Sequence, residues 1–139
     1  MFQCIVLGLD GSENSLRALE AARSLADSFH GKLIMVHAYP RTSDVRRFEG
    51  YERLVSQRKN AGQEILDDAR KQLGQVAFHV EEDLLEDPPA EAILSVAETR
   101  KADLIVLGTR GMGSVKGLLV GSVSNKVAHQ GPCTVMIVR

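Results

Sequence analysis

Small residues crowd one stretch near the end of the chain. They are Gly108, Gly111, Gly113, Gly117, Gly121, Ser122 and Ser124. Glycine lets backbone N–H groups approach a phosphate closely, and a helix N-terminus adds unpaired N–H groups and partial positive charge. The pattern favours a phosphate-binding loop that ends at a helix. A surface loop whose serine merely caps the helix would have the same composition, so both interpretations stay open on these residues alone.

Two common phosphate-binding motifs are excluded by their spacing. A P-loop needs a glycine followed by Lys-Ser or Lys-Thr, and the chain has no such sequence. The dinucleotide motif G-x-G-x-x-G could begin at Gly111 and Gly113, but Lys116 takes the place of its last glycine. That motif also belongs after the first strand of its domain, whereas this stretch lies near the C-terminus.

Few other side chains suggest chemistry. Asp10 ends the first apolar run, where its carboxylate could face a ligand or merely fix a turn. Arg110 and Lys116 could contact phosphate or be solvated loop charges. His37, near the end of an apolar run, is predicted to be packed rather than catalytic. No Ser/His/Asp set, acidic pair or metal cage is evident, so the sequence predicts no catalytic residues and no metal site.

The elements that must position these residues alternate along the chain. Apolar runs predict strands over 4–9, 33–38, 76–80, 103–107 and 133–138. Helices are expected from 13 to about 30, from about 48 to 73, after Asp87-Pro88-Pro89, and over 122–130. In the first two helices, Gly31 is expected to end the helix in a left-handed conformation, and Ala61 is placed on the buried stripe.

This alternation predicts an α/β fold: a doubly wound, five-stranded parallel sheet with helices on both faces. We predict the strand order 3-2-1-4-5, with the run over 76–80 as a half-exposed edge. The loops after the first and fourth strands would then separate to opposite faces. Ligands bind at that switch point, outside the carboxyl ends of the strands.

Composition sets the class of protein. The 139 residues fit one domain, 1–139, and the formal net charge of −1 argues against a nucleic-acid-binding protein. No apolar stretch approaches the ~20 residues of a membrane span, and no leader sequence is evident, so a cytoplasmic location is expected. Cys4 and Cys133 lie in apolar runs without C-x-x-C spacing, which predicts buried free thiols.

The chain resembles the universal stress protein family over essentially its whole length. The family's nucleotide-binding signature, G-x2-G-x9-G-[ST], matches at Gly108, Gly111, Gly121 and Ser122. The segments 7–12, 102–107 and 133–138 resemble the family as well. One departure is Asp87, which stands where the family often has glycine before the proline that opens the third helix. Because Asp tolerates left-handed backbone, the turn is expected to survive.

The resemblance implies a site for ATP or another adenine nucleotide. The implied nucleotide-binding residues are Leu9, Asp10, Ala38, Leu107, Gly108, Arg110, Gly111, Gly113, Gly121, Ser122, Val123 and Ser124. Within this set, Asp10 would face the nucleoside and Ala38 would offer its backbone to adenine. Gly121 to Ser124 would donate backbone and hydroxyl hydrogen bonds to phosphates. Mg²⁺ or Mn²⁺, if present, would bind mainly through those phosphates.

Three functions remain open at this point. The favoured hypothesis is a nucleotide-binding protein of stress response or signalling with slow or absent hydrolysis. The alternatives are an ATPase or adenine-nucleotide hydrolase, and a dimerising interaction module without nucleotide. A homodimer is expected in any case, because residues 133–138 would form an apolar edge strand that antiparallel pairing with a twofold copy would cover. A helix of the same chain could cover that edge instead.

Overall fold

Strands and helices alternate along the part of the chain that the computed structural model describes, residues 1–41, 50–109 and 121–139. The strands are β1 (Cys4–Gly8), β2 (Lys32–Tyr39), β3 (Val80–Glu86), β4 (Leu104–Gly108) and β5 (Thr134–Val138). The helices are α1 (Glu13–Phe29), α2 (Tyr51–Leu73), α3 (Pro89–Thr99) and α4 (Ser122–Gln130). The predicted start of α2 near residue 48 lies outside the described residues.

All five strands form one parallel sheet in the order β3-β2-β1-β4-β5, as predicted. In the central strand, Leu7 lies opposite Met35 of β2 and Val106 of β4. From β1 the chain continues to β2 and β3 on one side of the sheet. It then crosses back to β4 on the other side of β1. The crevice at the carboxyl ends of β1 and β4 is the switch point where such sheets bind ligands.

Helices cover both faces of the sheet. Because successive side chains of a strand point to opposite faces, Ile5 and Leu7 enter one core while Val6 enters the other. The first core is closed by α1 and α2, and the second by α3 and α4. Within the described residues, no helix combines the length and apolar character that a bilayer crossing requires.

The position of β3 differs from the prediction. Val76, Phe78 and Val80 of the alternating run pack against the core, but only Val80 belongs to the strand, which begins there. Val80–Glu86 form the edge strand, which pairs with β2, and neighbouring cations pair with its carboxylates. Arg100 lies 3.3 Å from Glu81, and Arg70 lies 3.1 Å from Glu82. Charged side chains also suit an edge, since they discourage pairing with other chains.

Single residues at the end of α1 and within α2 differ from the predictions. The left-handed residue after α1 is His30 (φ 54°, ψ 36°), not Gly31. The N–H of Gly31 bonds to the carbonyl of Ala26 (3.0 Å), the 6→1 bond of a Schellman motif, which places the left-handed residue one position earlier. In α2, Gly62 rather than Ala61 occupies the buried position.

Asp87 lies in the turn before α3, where the sequence departs from the family pattern. Asp87 does not take left-handed backbone; its carboxylate instead accepts a hydrogen bond from Arg41 Nη2 at 2.7 Å, and α3 begins after it as predicted.

Both cysteines are free, Cys4 buried and Cys133 half-buried. Burial raises the pKa of each thiol, and Asp103 raises that of Cys133 further. Both are therefore poor nucleophiles at neutral pH.

Candidate functional site

A crevice of about 230 Å³ opens at the carboxyl ends of β1, β2 and β4. Nine of the predicted residues line it: Leu9, Asp10, Ala38, Leu107, Gly108, Gly121, Ser122, Val123 and Ser124. The other three, Arg110, Gly111 and Gly113, lie outside the described residues. The structure therefore brings the strand ends and the start of α4 to one cavity.

One side of the crevice is apolar. Val36, Leu107 and Ile93 contribute side chains that are almost fully buried, and Ala38 lies beside them at the end of β2. Ile93 comes from the buried face of α3. An apolar wall with few polar groups is typical of sites that hold a flat organic ring.

The start of α1 fixes Asp10, another residue that lines the crevice. The carboxylate of Asp10 accepts a hydrogen bond from the N–H of Ser12 (2.9 Å). Ser12 is the N-cap of α1, and its hydroxyl accepts from the N–H of Ser15 (3.2 Å). The buried hydroxyl of Ser15 donates to the carbonyl of Ser12 (2.9 Å). These bonds hold Asp10 where the chain turns from strand to helix.

The first turn of α4 forms another wall. Gly121 is its N-cap, in extended backbone (φ −75°, ψ 169°), with no side-chain cap. The N–H of Asn125 bonds to the carbonyl of Gly121 (2.9 Å), so helix geometry leaves the preceding N–H groups of Ser122, Val123 and Ser124 without intrahelical acceptors. A helix start of this kind favours an anion through its N–H groups and its dipole.

Ser124 plays a different part from the one predicted for it. Its hydroxyl is buried and donates to the carbonyl of Gly108 at 2.6 Å. Because a hydroxyl has a single proton, that proton is not directed at the crevice. The side chain of Ser124 therefore links the start of α4 to the end of β4, and only its backbone N–H remains a candidate for phosphate.

Gly108 brings α1 close to the end of β4. A Cβ at this position would lie 2.7 Å from the backbone carbon of Asn14, nearer than real Cβ atoms approach other heavy atoms. Only glycine allows the first turn of α1 to pack against the strand here. As a result, the N-termini of α1 and α4 both border the crevice.

Thr109 joins the two ends of the glycine-rich stretch to the sheet. Its N–H donates to the carbonyl of Val138 at the end of β5 (2.8 Å). Its carbonyl accepts from the N–H of Gly121 (2.5 Å). Residues 109 and 121, which flank the part of the stretch outside the described residues, are thereby held together at the rim of the crevice.

Among the described lining residues, the ionisable side chains are those of Asp10 and His37. The two loop cations that the sequence suggested, Arg110 and Lys116, lie outside the described residues. In the part of the chain that the structure describes, no group of three or more His, Cys, Asp or Glu side chains could hold a metal ion. The polar groups of the described walls are therefore backbone N–H groups, serine hydroxyls, the imidazole of His37 and the carboxylate of Asp10.

Several lining residues were not assigned to the site from the sequence. They are Gly8, Ser12, Ser15, Val36, His37, Pro89 and Ile93. His37 is predicted from the sequence only as a packed side chain. Ile93 and Pro89 belong to α3, which packs on the face of the sheet opposite α1 and α2. No local sequence pattern predicts that this helix reaches the crevice. Ser15 lies three residues after the N-cap Ser12, and this spacing is the sequence signal that could have identified it.

Comparison with known proteins gives one family. A model of the universal stress protein family matches residues 1–139. A universal stress protein of Thermus aquaticus, encoded in the QAH/OAS sulfhydrylase 3' region, is 39% identical over 139 residues, covering all of both chains. One from Methanocaldococcus jannaschii is 33% identical, with coverage of 100% of this chain and 83% of the relative.

Solved structures agree with this result. A universal stress protein in complex with cAMP is 34% identical, with a TM-score of 0.70 and coverage of 99% of this chain and 97% of that one. UspA from Lactobacillus plantarum has a TM-score of 0.87 at 20% identity, covering 99% and 98% of the two chains. The second likeness concerns the fold alone.

Proposed function

The chain belongs to the universal stress protein family, and from this premise we propose that it binds an adenine nucleotide, ATP in the first place, in the crevice between β1 and β4. It would act as a single nucleotide-binding domain in stress response or signalling, with slow or absent hydrolysis. One observation carries the proposal: an apolar wall and the N-terminus of α4, whose N-cap is a glycine, face the same cavity.

The two halves of the crevice suit the two ends of a nucleotide. Val36, Ala38 and Leu107 form a surface on which a purine ring can lie, and the backbone of Ala38 can pair with its edge. The N–H groups of Ser122 to Ser124 can bind phosphate oxygens. The enclosed volume is below the range of about 300–1,000 Å³ for sites of drug-sized ligands, so we expect it to enclose the nucleoside while the phosphates reach its mouth.

Asp10 is the residue best placed to recognise the sugar. Its carboxylate lies at the switch point and is oriented by the Ser12 N–H, so it can accept hydrogen bonds from ribose hydroxyls. A Mg²⁺ or Mn²⁺ ion bound to the phosphates would offset the repulsion between them and this carboxylate. Such an ion would take most of its ligands from phosphate oxygens and water.

The adenine-nucleotide class also receives support from one relative. The solved universal stress protein that is 34% identical to this chain is in complex with cAMP. Since that ligand shares adenine, ribose and phosphate with ATP and AMP, all three belong in a binding comparison. We place ATP first because Gly108, Gly111, Gly121 and Ser122 resemble the nucleotide-binding signature of the family's ATP-binding type.

Replacing Gly121 tests the site assignment. Its extended φ admits other residues, so we expect Gly121→Val to fold, while the branched side chain at the N-cap obstructs phosphate. Isothermal titration should show ATP affinity reduced at least about tenfold, equivalent to roughly 1.4 kcal/mol. Gly121→Ala serves as a graded control with a smaller loss. ATP binding by Gly121→Val equal to that of the parent would show that the assignment is wrong.

Measuring the rate of ATP hydrolysis distinguishes the competing functions. Phosphoryl transfer needs an oriented water and stabilisation of developing charge. The acid–base groups of the described lining are Asp10, bonded to Ser12, and His37, which contacts the carbonyl of Leu9. We therefore propose little hydrolysis. A kcat near ~1 s⁻¹, within the ordinary enzyme range, would favour the hydrolase, and absence of any nucleotide binding would favour the interaction module.

We also propose a homodimer built on β5. This strand is at the edge of the sheet, and Val135 to Val138 are half-buried along it. Antiparallel pairing with a twofold copy would satisfy the open backbone groups and cover the apolar side chains. The acidic edge at β3 is less suited to such pairing, since like charges would meet across the interface.

A further inference from the structure

The imidazole of His37 is bonded to the end of β1. Its Nδ1 lies 2.7 Å from the carbonyl oxygen of Leu9. Because a carbonyl oxygen only accepts, Nδ1 must carry the proton and donate it. His37 is half-buried and is one of the residues that line the crevice, at the end of β2.

This bond acts on the peptide that precedes Asp10. The N–H of Leu9 already donates to the carbonyl of Val36 (2.8 Å), which ties that side of the residue to β2. The His37 bond holds the carbonyl of the same residue. Since that carbonyl belongs to the peptide plane joining Leu9 to Asp10, the orientation of Asp10 follows from it.

The ring in turn is held from behind by α2. A Cβ at Gly62 would lie 3.0 Å from Cδ2 of His37 and 2.7 Å from Cδ1 of Leu84. Glycine in a helix interior costs about 1 kcal/mol relative to alanine, so its presence here goes against helix propensity and matches the close approach. The imidazole is thus placed between the α2 backbone and the wall of the crevice.

We propose that His37 is a positioning residue: its Nδ1–H sets the Leu9–Asp10 peptide so that the Asp10 carboxylate faces the sugar of a bound nucleoside. This inference rests on the nucleotide-binding function proposed above. It differs from the interpretation of His37 as a core side chain, because it assigns the effect to one donor atom rather than to packing.

Two polar substitutions separate the donor atom from the bulk of the side chain. The amide nitrogen of Asn lies close to the position of histidine Nδ1, whereas that of Gln lies close to Nε2. We expect His37→Asn to bind adenosine within about threefold of the parent and His37→Gln about tenfold more weakly, as loss of one hydrogen bond predicts. His37→Phe, which keeps a ring without a donor, should resemble His37→Gln.

The ligands used as probes distinguish positioning from general damage. ATP and adenosine should lose affinity by the same factor in His37→Gln, whereas binding of tripolyphosphate should stay within about twofold of the parent. Leu84→Ala is the matched control, because Leu84 contacts the same point of α2 but does not line the crevice. It should leave adenosine affinity unchanged, and amide shifts of Asp10 and Ser12 should move only in the His37 variants.

Three results would overturn the inference. Equal affinities of the Asn and Gln variants would show that the donor atom is irrelevant. A weakening by Leu84→Ala as large as that by His37→Gln would assign the effect to packing of α2. Failure of the parent to bind ATP or adenosine would overturn the proposed function as well, whereas the first two results leave that function intact.

Discussion

Ser124 illustrates how one hydroxyl can be mistaken for a ligand when only the sequence is known. Its position in the first turn of α4 suggested a donor to phosphate, because serines at helix starts often have that role. The structure directs its proton to the carbonyl of Gly108, 2.6 Å away, in a buried setting. Its contribution is therefore to the closure of the sheet against α4.

Replacement of Ser124 should accordingly affect stability. We expect Ser124→Ala to lower the free energy of unfolding by about 1 kcal/mol, because the hydrogen bond from its hydroxyl to the carbonyl of half-buried Gly108 is lost. The matched control is Ser122→Ala, two residues away and exposed, which should stay within about 0.5 kcal/mol of the parent. Urea unfolding measures both. Equal values for the two variants would contradict the assigned role of Ser124.

Among single residues, the sequence predicts those that a local sequence pattern identifies. Gly108 and Gly121, Asp10 at a strand end, and Ala38 at the next strand end all line the crevice as expected. His37 and Ile93 were missed because their place at the site depends on how β2 and α3 pack, and long-range packing leaves no local signature. A carbonyl acceptor such as that of Leu9 cannot be identified before the fold is known.

Among the elements, α1 and β4 approach each other closely beside the crevice. The first turn of α1 packs on Gly108, where a Cβ would meet the backbone of Asn14 at 2.7 Å. Backbone cannot move aside as a side-chain tip can. The position of Asp10, which directly precedes α1, therefore depends on the absence of a side chain at residue 108.

Gly108→Ala tests this dependence. The added methyl should push α1 away from β4 and lower the free energy of unfolding by about 1–3 kcal/mol, the usual cost of overpacking. Gly121→Ala is a suitable comparison, since Gly121 has extended backbone at the same crevice, and we expect a smaller loss there. Thermal and urea unfolding report the difference. A Gly108→Ala variant as stable as the parent would show that α1 is free to shift.

The elements also show where sequence patterns mislead. The alternation over residues 76–80 predicts a strand, but only Val80 belongs to β3, and the mainly acidic run after it forms the rest of that strand. Edge strands need no apolar alternation when nearby cations pair with their carboxylates. Arg70 in α2 and Arg100 after α3 supply those charges, and neither partnership can be identified from spacing along the chain.

The whole molecule was the most predictable scale. Alternating strands and helices, right-handed crossovers and two buried faces leave few topologies, and the order β3-β2-β1-β4-β5 is the one expected. This order places the apolar β5 at one edge and the acidic β3 at the other. The contrast between the edges supports a dimer through β5.

Light scattering at micromolar concentration tests the dimer. We expect a mass near twice the 15.2 kDa of the chain, and a lower mass for Val135→Lys at the β5 edge. Thr134→Lys is the control on the same strand, since Thr134 is already exposed. A single species of 15.2 kDa for the parent would contradict the dimer. Because Val135 also packs on the core, its variant must be shown to be folded by circular dichroism.

The central claim is that an adenine nucleotide occupies the crevice with its phosphates at α4. Titration of the ¹⁵N-labelled protein with ATP, followed through its amide resonances, tests this directly. We predict saturable shifts at Gly121 to Ser124 and at Asp10, with exposed amides of α2 unchanged. No saturable shift at these residues up to millimolar ATP, or saturation accompanied by shifts elsewhere only, would contradict the claim.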